Sequence, residues 1–350
     1  MRILVLGAGA TGGYFGGRLL EAGRDVSFLV RPRRAAELAE HGLVINSPQG
    51  NARLMPRTIT EGQFIETFDL VILSCKAYDL DSAIAAIAPA MGRGSCVLPL
   101  LNGFKHYDAL DARFGAERVL GGLCSIGVTL GDKGVIKHLS PMQVLRFGER
   151  SGERTARIAA LEEAFAGTGL DAKSSRDIMQ ALWEKWVMLA SLAGMTCLMR
   201  ASIGDIVAAP HGEKLMLQML DECAAVAAAF GRGPRPAVLE DTRTLLTQAG
   251  SGFTASMLRD IEAGGRNIRC AQVDIEKIRP LARQERKSLS GQRCAQTGPL
   301  LRQFGQRRVE GGLRQIQPVG HAILQGGRGC EGDELMRAGD LVGQFRRGAD

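Results

Sequence analysis

The stretch Ile3-Leu4-Val5-Leu6-Gly7-Ala8-Gly9-Ala10-Thr11-Gly12 decides the fold of this 350-residue chain. Its first four residues are aliphatic and predict a short buried strand. Three glycines follow in the spacing Gly-x-Gly-x-x-Gly, and the residues after Gly12 continue as an apolar helical pattern through Leu20. A strand, a glycine turn and a helix in this order predict a dinucleotide-binding unit.

Each position of this turn has its own physical role. Gly7 permits the tight turn after the strand, Gly9 lets the backbone approach a pyrophosphate, and Gly12 allows the helix to pack closely on the strand. We expect the N–H groups at the helix N-terminus, at Ala10 and Thr11, to bind phosphate oxygens. A structural glycine turn without a ligand is the alternative, and the strand and helix around the motif favour the cofactor.

The residue after the second predicted strand, residues 26–30, indicates which dinucleotide binds. An NAD enzyme places Asp or Glu here for the ribose 2′-hydroxyl. This sequence has Arg31, followed by Arg33 and Arg34. Because a guanidinium forms charge-assisted bidentate bonds with a 2′-phosphate, we expect NADPH rather than NADH. A solvated basic loop is the alternative.

Short apolar runs alternate with helical patterns in the first half of the chain, which is typical of a parallel sheet. The predicted strands are residues 3–6, 26–30, 70–74, 96–100 and 119–123. Between residues 122 and 147 short runs follow one another with Gly and Pro turns, which predicts an antiparallel extension of this sheet. We therefore expect an α/β fold that begins with a Rossmann-type NADP-binding domain over residues 1–168.

The rest of the chain is predicted to be helical after a linker at residues 169–176. The helical patterns cover residues 178–199, 214–230 and 238–248. They predict an all-helical substrate and catalytic domain over residues 177–265. Ten of the sixteen glutamines lie in residues 266–350, where amphipathic periodicity fades. We expect this segment to be an atypical, disordered tail that leaves the helical domain incomplete.

The net charge of +7 does not indicate a nucleic-acid partner, because residues 266–350 hold sixteen Lys and Arg against nine Asp and Glu and account for the whole excess. The preceding residues show no basic stripe. The chain start lacks the apolar core of a signal peptide, and no apolar run reaches the ~20 residues of a membrane span. The eight cysteines form no CxxC pair. We expect a cytoplasmic protein with reduced thiols and no nucleic-acid partner, membrane partner or metal.

Polar residues follow two of the predicted strands, at the edge where open α/β sheets bind ligands. Lys76 comes after the third strand, and Asn102 comes after the fourth. Both are candidates for the cofactor site. A plain turn residue is the alternative for each, since Asn102-Gly103 is a common turn pair.

The predicted helix 178–199 carries a lysine between two tryptophans, in the order Trp183-Glu184-Lys185-Trp186. Reduction of a ketone builds negative charge on its oxygen, which then needs a proton donor. A lysine that tryptophans partly desolvate can donate that proton. A surface lysine whose stem covers apolar neighbours is the alternative. Further on, Ser256 is either a substrate-binding hydroxyl or a helix cap.

Taken in order, these pieces resemble the ketopantoate reductase (2-dehydropantoate 2-reductase) family over about residues 1–265. The matching stretches are the opening glycine stretch, Cys75-Lys76-Ala77, Leu101-Asn102-Gly103, Trp183-Glu184-Lys185 and Ser256-Met257-Leu258-Arg259-Asp260-Ile261. The resemblance implies that Lys185 is the proton donor and that Ser256 binds the substrate carboxylate. It also implies that Asn102 holds cofactor and substrate and that Lys76 borders the nicotinamide site.

The resemblance further implies the reaction. Members of the family use NADPH to reduce the small 2-oxo acid ketopantoate to pantoate, for the synthesis of pantothenate and coenzyme A. They combine a Rossmann domain with a helical domain. The oligomeric state is open, and a homodimer is one option.

Two features depart from the family pattern. Family members that make pantoate commonly carry asparagines one and two turns after the lysine, where this sequence has Leu189 and Ala193. A glutamate expected after Gly265-Arg266 is replaced by Asn267-Ile268-Arg269, where the composition of the tail begins. Two alternatives therefore stay open: a reductase of another 2-oxo acid and a catalytically silent NADPH-binding protein.

Overall fold

The computed structural model describes residues 1–63 and 66–264. They belong to two compact units, of which the first ends at Leu182 and the second begins at Trp183. The expected tail, residues 266–350, and the missing glutamate lie outside the described residues. The domain limits drawn from the sequence, at residues 168 and 177, stay predictions.

The first unit alternates strands and helices, as its sequence predicts. Its strands are β1 (Arg2–Leu6), β2 (Asp25–Leu29), β3 (Leu43–Asn46), β4 (Ala52–Leu54), β5 (Arg57–Ile59), β6 (Phe68–Leu73), β7 (Met91–Pro99), β8 (Gly121–Leu130), β9 (Ile136–Gly148) and β10 (Asp171–Ser174). Its complete helices are α1 (Ala10–Glu21), α2 (Pro32–His41), α3 (Leu80–Ile87), α4 (Lys105–Phe114) and α5 (Ala156–Phe165).

A parallel sheet in the order β5-β2-β1-β6-β7 forms the centre of this unit. Both of its faces are covered, and alternate residues of β1 therefore enter different cores. Ile3 and Val5 pack with residues of α1 and α5, whereas Leu4 packs with residues of α3 and α4. All three side chains are fully buried, which explains why β1 is a continuous aliphatic run.

The predicted antiparallel pair forms, and it belongs to a second, mixed sheet rather than to an extension of the parallel one. β8 and β9 pair antiparallel, and β9 also pairs in parallel with β3 and β10. The prediction of a linker over residues 169–176 was wrong in part, because residues Asp171–Ser174 form β10. Its sequence Asp-Ala-Lys-Ser has no apolar alternation, and it is held by ladder bonds to β9.

The second unit is helical in its described part, as predicted. The helix α6 (Ile178–Met199) crosses the division between the units, and the others are α7 (Ile203–Ala208), α8 (Gly212–Ala229), α9 (Pro236–Leu246) and α10 (Ser256–Glu262). Ser202 and Asp205 form a capping box that starts α7. Proline in the first turn of α9 starts that helix without losing a helical hydrogen bond. Within residues 1–63 and 66–264, no helix is long and apolar enough to cross a membrane.

A buried histidine lies on α4. His106 is 3% exposed and packs against Tyr107, with 4.2 Å between the ring centroids and 37° between the ring planes. Its Nε2 atom has no hydrogen-bond partner among the described residues. Burial, and secondly the positive charge of Arg150, lowers the pKa of His106 from 6.5 to about 3. The imidazole is therefore neutral in the folded protein at ordinary pH.

This histidine predicts a pH dependence of stability. The unfolded chain takes up a proton on this residue near pH 6.5, whereas the folded protein does so only near pH 3. As the pH is lowered from about 7 to about 5, the free energy of unfolding should therefore fall, by up to about 1.4 kcal/mol per pH unit. In His106→Asn this slope should flatten, and His41→Asn, at the half-buried last residue of α2, should keep it. Urea unfolding at a series of pH values measures both, and an unchanged slope in His106→Asn would contradict the assignment.

Candidate functional site

The carboxyl ends of four parallel strands meet at one edge of the first unit. Leu6 at the end of β1 is in register with Leu29 of β2 and with Leu73 of β6. Leu73 is in turn in register with Pro99, the end of β7. The segments that follow these residues contain the glycine turn, Arg31, Lys76 and Asn102. The fold thus brings all the predicted cofactor residues to the edge where open α/β sheets bind ligands.

The three glycines of the turn occupy different environments. Gly7 has φ +85°, a value that favours glycine, and its N–H donates to the carbonyl of Leu29 at 2.9 Å. A Cβ added at Gly7 or Gly9 would enter open space. A Cβ added at Gly12 would collide with the Gly7 carbonyl and the Ser74 side chain. The geometry agrees with the roles that the spacing predicts: a turn, an open approach and a close packing contact.

The N-terminus of α1 opens at this turn. Gly9 is the N-cap residue and offers no side-chain cap, and the first turn contains no acidic residue. The N–H groups of Ala10, Thr11 and Gly12 belong to this first turn, and the helix dipole adds partial positive charge there. The residues present therefore fit a diphosphate: they supply uncapped donors, favourable charge and backbone without side chains in the way.

The three arginines after β2 differ in their contacts. Arg31 is 81% exposed and lies 3.7 Å from the Asp79 carboxylate, measured from Nη2 to Oδ2. Arg33 is 92% exposed and pairs with Glu37 on the same helix. Arg34 is 15% exposed. Arg31 has the exposure and charge that binding of a 2′-phosphate requires.

Arg34 is bonded to the glycine turn itself. Its Nε and Nη2 atoms donate to the carbonyl of Ala8 at 3.2 and 3.0 Å, and Nη2 also donates to the carbonyl of Gly134 at 2.9 Å. Its Nη1 donates to Glu37. The guanidinium thereby ties the turn to α2 and to the β8–β9 connection. The sequence placed Arg34 in a basic cluster and could not reveal this role, because its acceptors are main-chain carbonyls remote in sequence.

Lys76 and Asn102 are both exposed. Lys76 is the N-cap residue of a short 3-10 helix over Ala77–Asp79. Asn102 precedes Gly103, whose φ of +83° gives the tight turn that the Asn-Gly pair predicts. The neighbouring thiol is not poised to act as an acid, because burial, and then the charge of Asp79, raises the pKa of Cys75 to about 12.

Lys185 lies in the second unit, on α6. It is half-buried, and the tryptophans on either side of it are buried. Trp183 and Trp186 meet edge to face at 5.5 Å, and Trp183 also stacks on Phe230 at 4.9 Å. Lys185 is therefore half-buried on a helix turn whose neighbouring tryptophans are buried, as expected for a partly desolvated lysine.

The buried carboxylate beside this lysine was missed by sequence reasoning. Glu184 is 5% exposed and is held by Arg235, whose Nε and Nη2 donate to the carboxylate at 2.7 and 2.5 Å. The backbone N–H of Arg235 donates to the same carboxylate at 3.0 Å. These bonds fix the turn of α6 that carries Lys185 to the start of α9.

Ser256 is the first residue of α10, and the N-cap position belongs to Ala255. A plain capping role is therefore not the one that the structure gives this hydroxyl. The segment before it is held in three places: Ala255 N–H donates to the Thr196 hydroxyl at 3.4 Å, Ile203 N–H to the Phe253 carbonyl, and Gly204 N–H to the Ser251 carbonyl. Ser256 is thus exposed on a backbone that α6 and α7 position.

Comparison with known proteins identifies relatives along most of the chain. Residues 3–152 match the family model described as ketopantoate reductase PanE/ApbA, and residues 177–267 match the model for the C-terminal part of the same family.

The similar proteins include an uncharacterized oxidoreductase, YkpB, from Bacillus subtilis, which is 42% identical over 264 residues (75% of this chain and 87% of YkpB). A 2-dehydropantoate 2-reductase from Halobacterium salinarum is 29% identical over 271 residues, 76% of this chain and 88% of that protein. Among solved structures, 2-dehydropantoate 2-reductase from Geobacter metallireducens is similar with a TM-score of 0.73 and 29% identity. The similarity covers 81% of this chain and 94% of the Geobacter chain.

The contacts of Arg34 predict a stability difference between two neighbouring arginines. Arg34→Met removes three hydrogen bonds to main-chain carbonyls and should lower the free energy of unfolding by about 1–3 kcal/mol. Arg33→Met removes an exposed ion pair and should change it by no more than about 0.5 kcal/mol. Urea unfolding of both variants checks this, and equal effects would show that Arg34 does not hold the turn.

Proposed function

Because the chain belongs to the ketopantoate reductase family, we propose that it is an NADPH-dependent reductase of a small 2-oxo acid. Ketopantoate, the substrate that the family resemblance implies, is the first acid to test. The observation that carries the proposal is the alignment of four strand ends at Leu6, Leu29, Leu73 and Pro99. It assembles a glycine turn, an uncapped helix N-terminus and an exposed arginine at one sheet edge.

The proposed cofactor residues are Gly7, Gly9, Ala10, Thr11, Gly12, Arg31, Lys76 and Asn102. The glycine turn and the first turn of α1 would hold the diphosphate, since they present backbone donors without side chains in the way. Arg31 would hold the 2′-phosphate that distinguishes NADPH from NADH. When bound, the nicotinamide supplies the hydride that reaches C2 of the substrate.

The chain's own residues would perform the rest of the reaction. As hydride reaches C2, the carbonyl oxygen gains the electron pair of the former π bond and becomes basic. Lys185 would give a proton from Nζ to that oxygen, which yields the 2-hydroxy acid, and solvent would then return a proton to the amine. Ser256 would donate a hydrogen bond to the substrate carboxylate, and Asn102 would contact both substrate and cofactor.

A second candidate substrate class follows from the helix that carries Lys185. Leu189 and Ala193 lie one and two turns beyond it and provide no hydrogen bond to a substrate. This observation favours a 2-oxo acid other than ketopantoate. A catalytically silent NADPH-binding protein, the third alternative, would bind the cofactor and turn over no 2-oxo acid.

The proton donor can be tested directly. Lys185→Ala should lower kcat by about 100-fold or more and leave NADPH affinity within a few-fold, because proton transfer in the transition state is lost. Lys214→Ala, an exposed lysine on α8, should change neither quantity. The loss of absorbance of the reduced nicotinamide, measured with ketopantoate and a panel of other 2-oxo acids, gives the rates. Unchanged turnover in Lys185→Ala would exclude this residue as the donor.

The choice of cofactor has its own test. Arg31→Ala should reduce the preference for NADPH over NADH by about 10-fold or more, since a hydrogen bond to a charged group contributes about 1.5–3 kcal/mol. Arg33→Ala, exposed and two residues away, should keep the preference. Titrations with both dinucleotides compare the variants. If Arg31→Ala binds NADPH as tightly as the parent protein does, the 2′-phosphate is held elsewhere.

A further inference from the structure

The face of α6 that carries Lys185 is otherwise almost entirely apolar. Side chains three, four, seven, eight and eleven positions after a helical residue lie on its side of the helix. Because α6 is continuous from Ile178 to Met199, these positions follow Lys185 along one stripe. The Lys185 stripe consists of Met188, Leu189, Leu192, Ala193 and Thr196.

Thr196 is the member of this stripe with a hydrogen-bonding side chain, and its hydroxyl is already engaged. It donates to the Leu192 carbonyl at 2.7 Å and accepts from Ala255 N–H at 3.4 Å. The other hydroxyl nearby, on Ser191, lies off the stripe, is fully buried and donates to the Val187 carbonyl. The stripe therefore offers aliphatic and thioether surface to a ligand.

The accessible part of the stripe lies next to the lysine. Met188 and Leu189, one turn beyond Lys185, are half-buried, whereas Leu192 and Ala193 are buried. Thr196, at the far end, anchors the segment that leads into Ser256. The stripe thus runs from the lysine that the proposed reaction assigns to the carbonyl oxygen towards the segment that precedes Ser256.

We propose that the substrate is a 2-oxo acid whose side chain is aliphatic and carries no hydroxyl, an inference that rests on the proposed function. With the oxygen at Lys185 and the carboxylate at Ser256, the group on C2 lies against the Lys185 stripe. A side-chain hydroxyl placed there loses its hydration and finds no free hydrogen-bond partner among the stripe residues. The complex with such a substrate is therefore less stable. A branched alkyl group gains contact with Met188 and Leu189 instead.

A matched pair of acids tests the inference. Trimethylpyruvate is ketopantoate with its hydroxyl replaced by hydrogen, so the two differ only in the group at issue. With NADPH and the full chain, kcat/KM for trimethylpyruvate should exceed that for ketopantoate by about 10–100-fold, the range in which an apolar site rejects an added hydroxyl.

A variant adds the missing hydrogen-bonding group. Leu189→Asn places an amide on the stripe and should lower the preference for trimethylpyruvate by about 10-fold, chiefly by raising kcat/KM for ketopantoate. Ala190→Asn, the matched control, adds the same amide about 100° around the helix axis from Leu189, off the stripe, and should leave the preference as in the parent protein. Thermal melting and NADPH affinity establish that both variants are folded.

The outcomes separate the two proposals. A parent protein that prefers ketopantoate overturns the inference and leaves the reductase function standing. A preference that is the same in Leu189→Asn and Ala190→Asn shows that the stripe does not contact the substrate side chain, which also overturns it. If the protein binds NADPH and reduces neither acid nor any of a panel of 2-oxo acids, the proposed function fails, and the inference fails with it.

Discussion

The close approach of α1 to β1 is the contact on which the candidate site depends. A Cβ at Gly12 would collide with the Gly7 carbonyl and with Ser74 after β6, so the helix can sit this near the sheet only with glycine at that position. This contact places the uncapped N-terminus of α1 beside the carboxyl ends of β1 and β6. The helix dipole and the donors of the first turn then point to the sheet edge, where an anion can use both.

The arginines after β2 show how one charge type can serve two purposes. Arg34 directs its guanidinium to the carbonyls of Ala8 and Gly134, and it thereby fixes the turn through hydrogen bonds that bring together segments 26 and 100 residues apart. Arg31 is exposed, and its guanidinium lies 3.7 Å from the carboxylate of Asp79, in the segment after β6. The half-buried Arg34 donates to main-chain carbonyls and stabilises the turn. The exposed Arg31 remains accessible to a charged ligand.

The sequence predicted those features that depend on local chemistry. The aliphatic run at residues 3–6, the glycine spacing and the unbroken helical pattern over residues 178–199 each specify their structure by propensity and periodicity, and β1, the turn and α6 follow them closely. The sequence predicts a linker where β10 forms, because Asp171–Ser174 carries no apolar alternation and the strand comes from pairing with β9. The sequence could not predict the Glu184–Arg235 ion pair either, since the two residues lie 51 positions apart. Pairing between distant segments is what a pattern along the chain cannot show.

The Glu184–Arg235 pair illustrates why a mostly apolar helix retains a buried charge. Desolvation of a carboxylate offsets much of what an ion pair contributes, so a net gain in stability is a weak reason for keeping it. The pair does have directional geometry, because one carboxylate accepts two guanidinium bonds and the main-chain N–H bond of Arg235, the N-cap residue of α9. A rotation of α6 about its axis would break all three bonds. The same rotation would move the adjacent Lys185, and the orientation of that lysine on α6 is therefore tied to a contact that tolerates little displacement.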